Sequence, residues 1–251
     1  MDKKLNLIKS IALCVIAFCM AVAGYLFWEH RNYKEPVVVS EYITEVKKLS
    51  DYFDGVKGTV NDCNVYIFDS GVEGGTFLIW GSTHPEEPAG VMAASLMVEN
   101  LKVTQGKVII IDRENNSAST NTRVGEAYPR FFTYETDWGT KVWRFGDRHA
   151  NQLDSWPDPE VYIHYPSGQT LANVDIRNTN RNWPGKANGL LTERTNYAVM
   201  QLIEQEGVDM TLDLHEAELE YTVENTIVVH EKGQSVAAMV SMMLTAETST
   251  A

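Results

Sequence analysis

Between residues 75 and 112 the chain reads strand, turn, helix, strand in quick succession. The apolar run GTFLIWGS (75–82) leads into HPEEP, and Pro88 suits the first turn of a helix. AGVMAASLMVENL continues that helix with good helix formers and apolar residues on one side. KVIIID (107–112) is a short β-branched run typical of a buried strand. Upstream, CNVYIFDS (63–70) and GTFLIWGS flank the glycine-rich GVEGG, which reads as a hairpin. Downstream, a helix over about 192–206 (TERTNYAVMQLIEQE) precedes two further predicted strands, VDMTLDLH and NTIVVHE. Strands alternating with helices predict an α/β fold built on a doubly wound sheet, mixed in direction because of the hairpin. The long irregular stretch from about 113 to 190 is expected to build loops around a site, since structureless segments of that length are uncommon unless functional.

The first 28 residues stand apart. Lys3, Lys4 and Lys9 precede an uncharged apolar stretch of 18 residues ending at Trp28, close to the length that crosses a bilayer. This reads as a transmembrane anchor, with a cleaved signal peptide as the competing reading because Ala21-Val22-Ala23 resembles a cleavage site. Either way the globular part is expected on the extracytoplasmic side, membrane-anchored or secreted. The predicted organisation is residues 1–28 as anchor or signal, 29–50 as linker and 51–251 as one catalytic-sized domain. Cys14 and Cys19 follow Leu and Phe, not the small residue that lipoprotein processing requires. Beyond the apolar segment only Cys63 remains, so no internal disulfide is available and Cys63 reads as a buried small hydrophobe. The formal charge of −13 argues against a nucleic-acid partner, which needs clustered Lys and Arg. Small molecules or peptides are the expected partners.

Two polar clusters sit at predicted strand ends. GSTHPEEPAG (81–90) carries His84 and Glu87 three residues apart, and TLDLHEAELE (211–220) carries Asp213 and His215, which share a strand face. Ligands of open α/β sheets collect at the carboxyl ends of strands, so the clusters can converge. Two imidazoles and one glutamate form the His₂Glu donor set of catalytic zinc, with a fourth position for water. His84, Glu87 and His215 are therefore the candidate ligands of one zinc ion, with Asp213 as an orienting neighbour. Cobalt and manganese are alternative occupants on ligand type. Each residue also has a plainer reading: a hydrogen-bonded histidine at a strand end, or Glu86 and Glu87 as carboxylates complementing a helix start.

With DIRNTNRNWPGKANG (175–189) in view, the order H-x-x-E, N-R-N-W-P-G, D-L-H resembles the zinc carboxypeptidase superfamily, especially its succinylglutamate desuccinylase/aspartoacylase branch. The three motifs spread from His84 to His215, about half the chain, and HPEEPAG is similar to the deacylase branch. The resemblance implies the zinc carboxypeptidase type of sheet and hydrolysis of an amide bond next to a free carboxylate, as in an N-acyl amino acid. A carboxypeptidase acting on peptides is the alternative, which Trp183 suits, and a membrane-tethered binding protein without turnover is the alternative from another class. By resemblance His84, Glu87 and His215 are the metal ligands, and Asn180 and Arg181 hold the substrate carboxylate, which suits a planar guanidinium fork beside a neutral donor. Read without the resemblance, Asn180 is a loop-stabilising residue and Arg181 a solvated cation. Arg177 is the candidate to polarise the scissile carbonyl.

The family's general-base glutamate lies well downstream of the third ligand, whereas His215 is followed by 36 of the 251 residues. The resemblance therefore implies a domain incomplete at its C-terminal end, with its general base not found in this chain. Glu216, Glu218 and Glu220 read as a solvated loop and Glu247 as a helix residue.

Overall fold

The structure, a computed structural model, describes residues 2–121, 129–137, 139–216 and 227–248. It divides into two compact units, residues 1–215 and 216–251.

The first unit opens with the helix α1 (Asp2–Asn32) and the short edge strand β1 (Glu45–Lys48). β2 (Asn64–Asp69), β3 (Thr76–Trp80), α2 (Pro88–Asn100) and β4 (Lys107–Ile111) follow. A one-turn helix α3 (Asn116–Ser119) leads to an antiparallel pair, β5 (Phe131–Thr136) with β6 (Gly139–Arg144), and to a two-residue pair, β7 (Tyr162–Ile163) with β8 (Thr170–Leu171). α4 (Leu191–Gln205) and β9 (Met210–Asp213) complete it. In the second unit a 3₁₀ turn over Glu231–Gly233 runs into α5 (Gln234–Thr248), which contains Glu247.

The main sheet has the order β1-β2-β4-β3-β9. β3 is parallel to both β4 and β9, while β2 is antiparallel to β4 and β1 to β2, so the sheet is mixed as expected. Alternation along the strands sends Val65, Ile67, Leu78, Trp80, Ile109 and Ile111 to one face, where Ala198, Val199 and Leu202 of α4 cover them. Tyr66, Phe68 and Ile110 face the other way, against Ala94 and Val98 of α2. Helices thus pack on both faces, and the sheet is doubly wound.

Two expectations are corrected. CNVYIFDS and GTFLIWGS do not form a hairpin, because β4 lies between them. The crossover through α2 returns β4 beside β3, and the glycine-rich stretch opens to admit its start: Gly106 N–H donates to Val72 O and Lys107 N–H to Gly75 O. Gly106 has φ +71°, and a Cβ on it would lie 2.4 Å from Gly75 O. The glycines permit a close backbone approach of a third segment, not a tight reversal. The predicted strand NTIVVHE is the second correction. Of it, Asn225 and Thr226 lie outside the described residues; residues 227–230 form no strand, and Val228 is almost fully exposed, without the neighbour that a strand face packs against. Conversely, β1 falls in the stretch read as linker, and β5–β6 falls in the stretch read as loops.

The stretch read as linker also carries Glu35, whose buried carboxylate accepts from Arg144 Nε at 2.8 Å and lies 3.2 Å from Arg113 Nη1. Arg113 lies two residues past the end of β4 and Arg144 ends β6, so one carboxylate joins the main sheet to the small pair. Burial alone would raise its pKa, but the two guanidiniums hold it down at about 2 against an ordinary 4.5. A depressed carboxylate stabilises the fold above its unfolded pKa, and that contribution fades as pH falls from 4.5 toward 2. Glu35→Gln should therefore cost about 3–5 kcal/mol, because two buried cations lose their counter-charge. It should also flatten the loss of stability below pH 4.5, as measured by denaturant unfolding across a pH series.

Candidate metal centre

β3 delivers its chain to the site through a strained turn. Ser82, buried just after the strand, has φ +69°, the left-handed region that a serine seldom occupies. The backbone then closes on itself, Glu87 N–H donating to His84 O at 3.0 Å, and α2 begins at Pro88. Glu87 stands at the N-cap, yet its side chain makes no capping hydrogen bond. It turns instead between the two histidines. β9 arrives alongside, because Gly90 in the first turn of α2 lies so close to Leu214 that a Cβ there would sit 2.5 Å from Leu214 O.

His84 Nδ1 lies 2.7 Å from Glu87 Oε1, and His215 Nδ1 lies 2.9 Å from Glu87 Oε2. The far nitrogens are engaged as well: His84 Nε2 with Asn178 Oδ1 at 3.0 Å and His215 Nε2 with Asp213 Oδ2 at 2.9 Å. The rings meet edge to face at 4.9 Å, and one donor atom from each of His84, Glu87 and His215 lies within 4.8 Å of the others. A neutral imidazole has one N–H and one lone pair. Here each ring faces an oxygen acceptor at both nitrogens, so the cluster is short of positive charge. Protons or a metal ion between the Nδ1 atoms and Glu87 satisfies it. Burial pushes the His215 pKa down, but hydrogen bonds to Asp213 and Glu87 outweigh this and bring it up to about 10. The donor set of two imidazoles and a carboxylate, each imidazole held from behind, fits a zinc ion.

Several supporting residues carried no signal of their own in the sequence. Asn178 Oδ1 also accepts from Asn180 N–H at 3.0 Å, which fixes it as the oxygen facing His84. Thr83 Oγ1 donates to Asp213 Oδ1 at 2.7 Å while accepting from Trp80 Nε1 at 3.1 Å, a line that runs from the core indole to His215. Arg148 approaches from the side, its Nε 3.1 Å from Glu86 Oε1 and its Nη2 3.8 Å from Glu87 Oε1. All three come from segments far from the H-x-x-E turn or from residue types too common to stand out.

The NRNWPG segment divides by direction. Asn182 is buried, accepting from Tyr162 OH at 2.8 Å and donating to Ile176 O at 2.8 Å, and Trp183 packs 5.5 Å from Trp80. Those contacts hold the 3₁₀ turn Thr179–Arg181 in place, with Arg181 exposed and in contact with Asn180 O. Arg177 turns inward. Its buried guanidinium is engaged by Asp158 Oδ1 at 2.8 Å and Ala150 O at 2.9 Å, so it braces the loops instead of serving the reacting carbonyl. Glu216 is exposed, and Glu218 and Glu220 lie outside the described residues.

No protein-family model and no curated protein matches the chain. Among solved structures, the chain is similar to aspartoacylase and succinylglutamate desuccinylase proteins. An aspartoacylase family protein from Mesorhizobium loti matches 61% of this chain and 34% of its own at 23% identity and a TM-score of 0.36. A succinylglutamate desuccinylase/aspartoacylase from Rhodobacter sphaeroides matches 62% and 34% at 19% identity and 0.36. A murein-tripeptide amidase from Escherichia coli O157 matches 74% and 63% at 13% identity and 0.34. The chain spans about a third of the length of the first two.

If the three residues act as one site, titration calorimetry with zinc should show about one ion bound, and His84→Ala or His215→Ala should each weaken it by at least about 100-fold, since two ligands hold zinc poorly. Undiminished binding in both variants would dismiss the site.

Proposed function

We propose that the chain binds one zinc ion through His84, Glu87 and His215 and hydrolyses an amide bond in an N-acyl amino acid or a similar small substrate bearing a free carboxylate. The observation that carries this reading is the pair of imidazoles, each facing oxygen acceptors at both nitrogens, beside an outward-facing arginine on a braced turn. Zinc supplies Lewis acidity at such a site and lowers the pKa of its water toward neutrality.

The chain's own residues do the rest. Asn178 and Asp213 hold the two rings in the tautomer that leaves Nδ1 free to ligate. Arg181 offers its fork to the substrate carboxylate, with Asn180 as a neutral donor beside it, which fixes the distance from that carboxylate to the scissile amide. Arg148, the guanidinium nearest Glu87, takes the role expected of Arg177 and stabilises negative charge developing on the carbonyl oxygen. No residue among those described is assigned the proton-accepting role.

α1 is apolar enough to cross a membrane: an 18-residue window within Lys3–Asn32 has a mean hydropathy of 2.3. We place it in the bilayer as a signal-anchor, with the catalytic domain on the extracytoplasmic side, because Lys3, Lys4 and Lys9 flank the other end. Protease added to intact spheroplasts should digest the domain; protection until the membrane is lysed would reverse the topology.

The substrate assignment is tested at Arg181. Desolvating a carboxylate against this guanidinium makes a charge-assisted bidentate pair, and losing one side of such a pair costs on the order of 2–5 kcal/mol. Arg181→Ala should cut kcat/KM for N-acyl amino acids by roughly 30-fold or more, with zinc content unchanged. The drop should be much smaller for substrates whose carboxylate is amidated. Equal turnover of free and amidated substrates by wild type and variant would remove the carboxylate from the recognition scheme.

A further inference from the structure

The last turn of α1 is not a loose tether. His30 is buried with its ring 5.4 Å from that of Phe131, and Tyr33 packs on the same ring at 5.1 Å while its hydroxyl donates to Val142 O at 3.0 Å. Arg130 donates to Leu26 O at 2.7 Å and pairs with Glu29. On the other side Arg31 donates to Thr120 Oγ1 at 3.3 Å and forks onto both carboxylate oxygens of Asp154. The helix therefore leaves the globular unit as a fixed rod, and everything from Leu5 to Trp28 along it is open.

The Asp154 turn is itself ordered. Asn151 Oδ1 accepts from Leu153 N–H at 3.0 Å, Asn151 O accepts from Asp154 N–H at 2.9 Å, and Ser117 Oγ donates to Asp154 Oδ2 at 2.7 Å. On either side of the carboxylate that grips Arg31, this turn presents Leu153 at 79% exposure and Trp156 at 64%. A large aliphatic and an indole held outward on a rigid turn are costly in water.

The position of the turn identifies what covers them. The 18-residue apolar run ends at Trp28 and spans about 27 Å as a helix, near the thickness of a bilayer's hydrocarbon core. Arg31 is three residues beyond, about 4.5 Å along the axis, which is inside the headgroup layer. Asp154 is bonded to Arg31 and so shares that level. Tyr25 and Trp28, stacked at 6.2 Å, already supply the aromatic pair that marks a membrane interface on the helix itself.

We propose that Leu153 and Trp156 insert into the lipid interface beside α1, forming a second membrane contact that fixes the orientation of the domain on the bilayer. This rests on the reading of α1 as a bilayer helix. Insertion of about 5–10 Å into the boundary between headgroups and acyl chains is the depth that exposed apolar residues reach.

The full chain, with Cys14, Cys19 and Cys63 changed to Ala, would be reconstituted into phosphatidylcholine vesicles. Leu153→Cys, Trp156→Cys, Phe18→Cys and Val72→Cys variants would each carry one environment-sensitive fluorophore. Val72 is an exposed apolar residue in the turn ahead of β3, at the end of that strand away from His84. Labels at 18, 153 and 156 should shift to the blue and lose about half their emission or more when brominated lipid replaces ordinary lipid, while the label at 72 stays water-like. Quenching at 18 with none at 153 and 156 would overturn the proposal and leave the bilayer helix standing. No quenching at 18 either would overturn both. In the unlabelled protein, the share of tryptophan emission quenched by bromolipid should fall in Trp156→Phe; an unchanged share would speak against insertion in the native chain.

Discussion

Two imidazoles surrounded by four oxygen acceptors need positive charge, and the rest of the candidate site is arranged around that need. Glu87 supplies an oxygen to each ring from between them, Asp213 and Asn178 close the outer sides, and the polar line from Trp80 through Thr83 keeps Asp213 oriented. A cluster of this kind without a proton or cation to balance its acceptors, partly withdrawn from water, would be destabilising. Its persistence on three separate segments requires the fold to bring those segments close, and the fold does so at some cost in backbone freedom. Ser82 accepts a left-handed conformation, and Gly90 gives up a side chain so that α2 can rest against the chain leaving β9.

The scaffold serves the same end. β3 is the middle of the sheet's last three strands, between β4 and β9 and parallel to both, so its carboxyl end opens beside the carboxyl end of β9. That adjacency places His84 next to His215 although 131 positions separate them. α4 covers one face beneath and α2 starts above, which leaves the His84–Glu87–His215 cluster between the core and the irregular segment that supplies Asn178.

What could be read from sequence follows the range of the forces involved. Periodicity reports burial, so the helices α2 and α4, the strands β2, β3, β4 and β9, and the two-faced covering of the sheet were all visible. Strand order was not, because GVEGG has the composition of a tight reversal and only the backbone of Gly106 seated against it reveals a gap for β4. The convergence of His84, Glu87 and His215 was visible from their chemistry at strand ends. Its supports were less so: Asn178 and Thr83 act through single oxygens, and nothing in their neighbours distinguishes them from ordinary loop residues. The contacts of Arg177 were not legible, because an arginine near a recognised motif looks functional while its partner Asp158 lies 19 positions earlier in the irregular stretch. Glu35 was invisible for a similar reason, since both of its partners are distant in sequence.

If the cluster holds an ion and Arg181 a carboxylate, as proposed, Asn178 joins those two recognition events. One carbonyl oxygen receives both His84 Nε2 and the backbone N–H of Asn180, so the His84 ring and the turn that displays Arg181 share an acceptor. Any movement of that amide is felt on both sides. Coupling free energies are reciprocal: whatever factor an occupied ligand site contributes to the grip on a carboxylate, an occupied carboxylate site returns to the affinity for the ion. On the proposed function the amide would thereby make substrate and ion mutual effectors, with the metal held most firmly while substrate is bound.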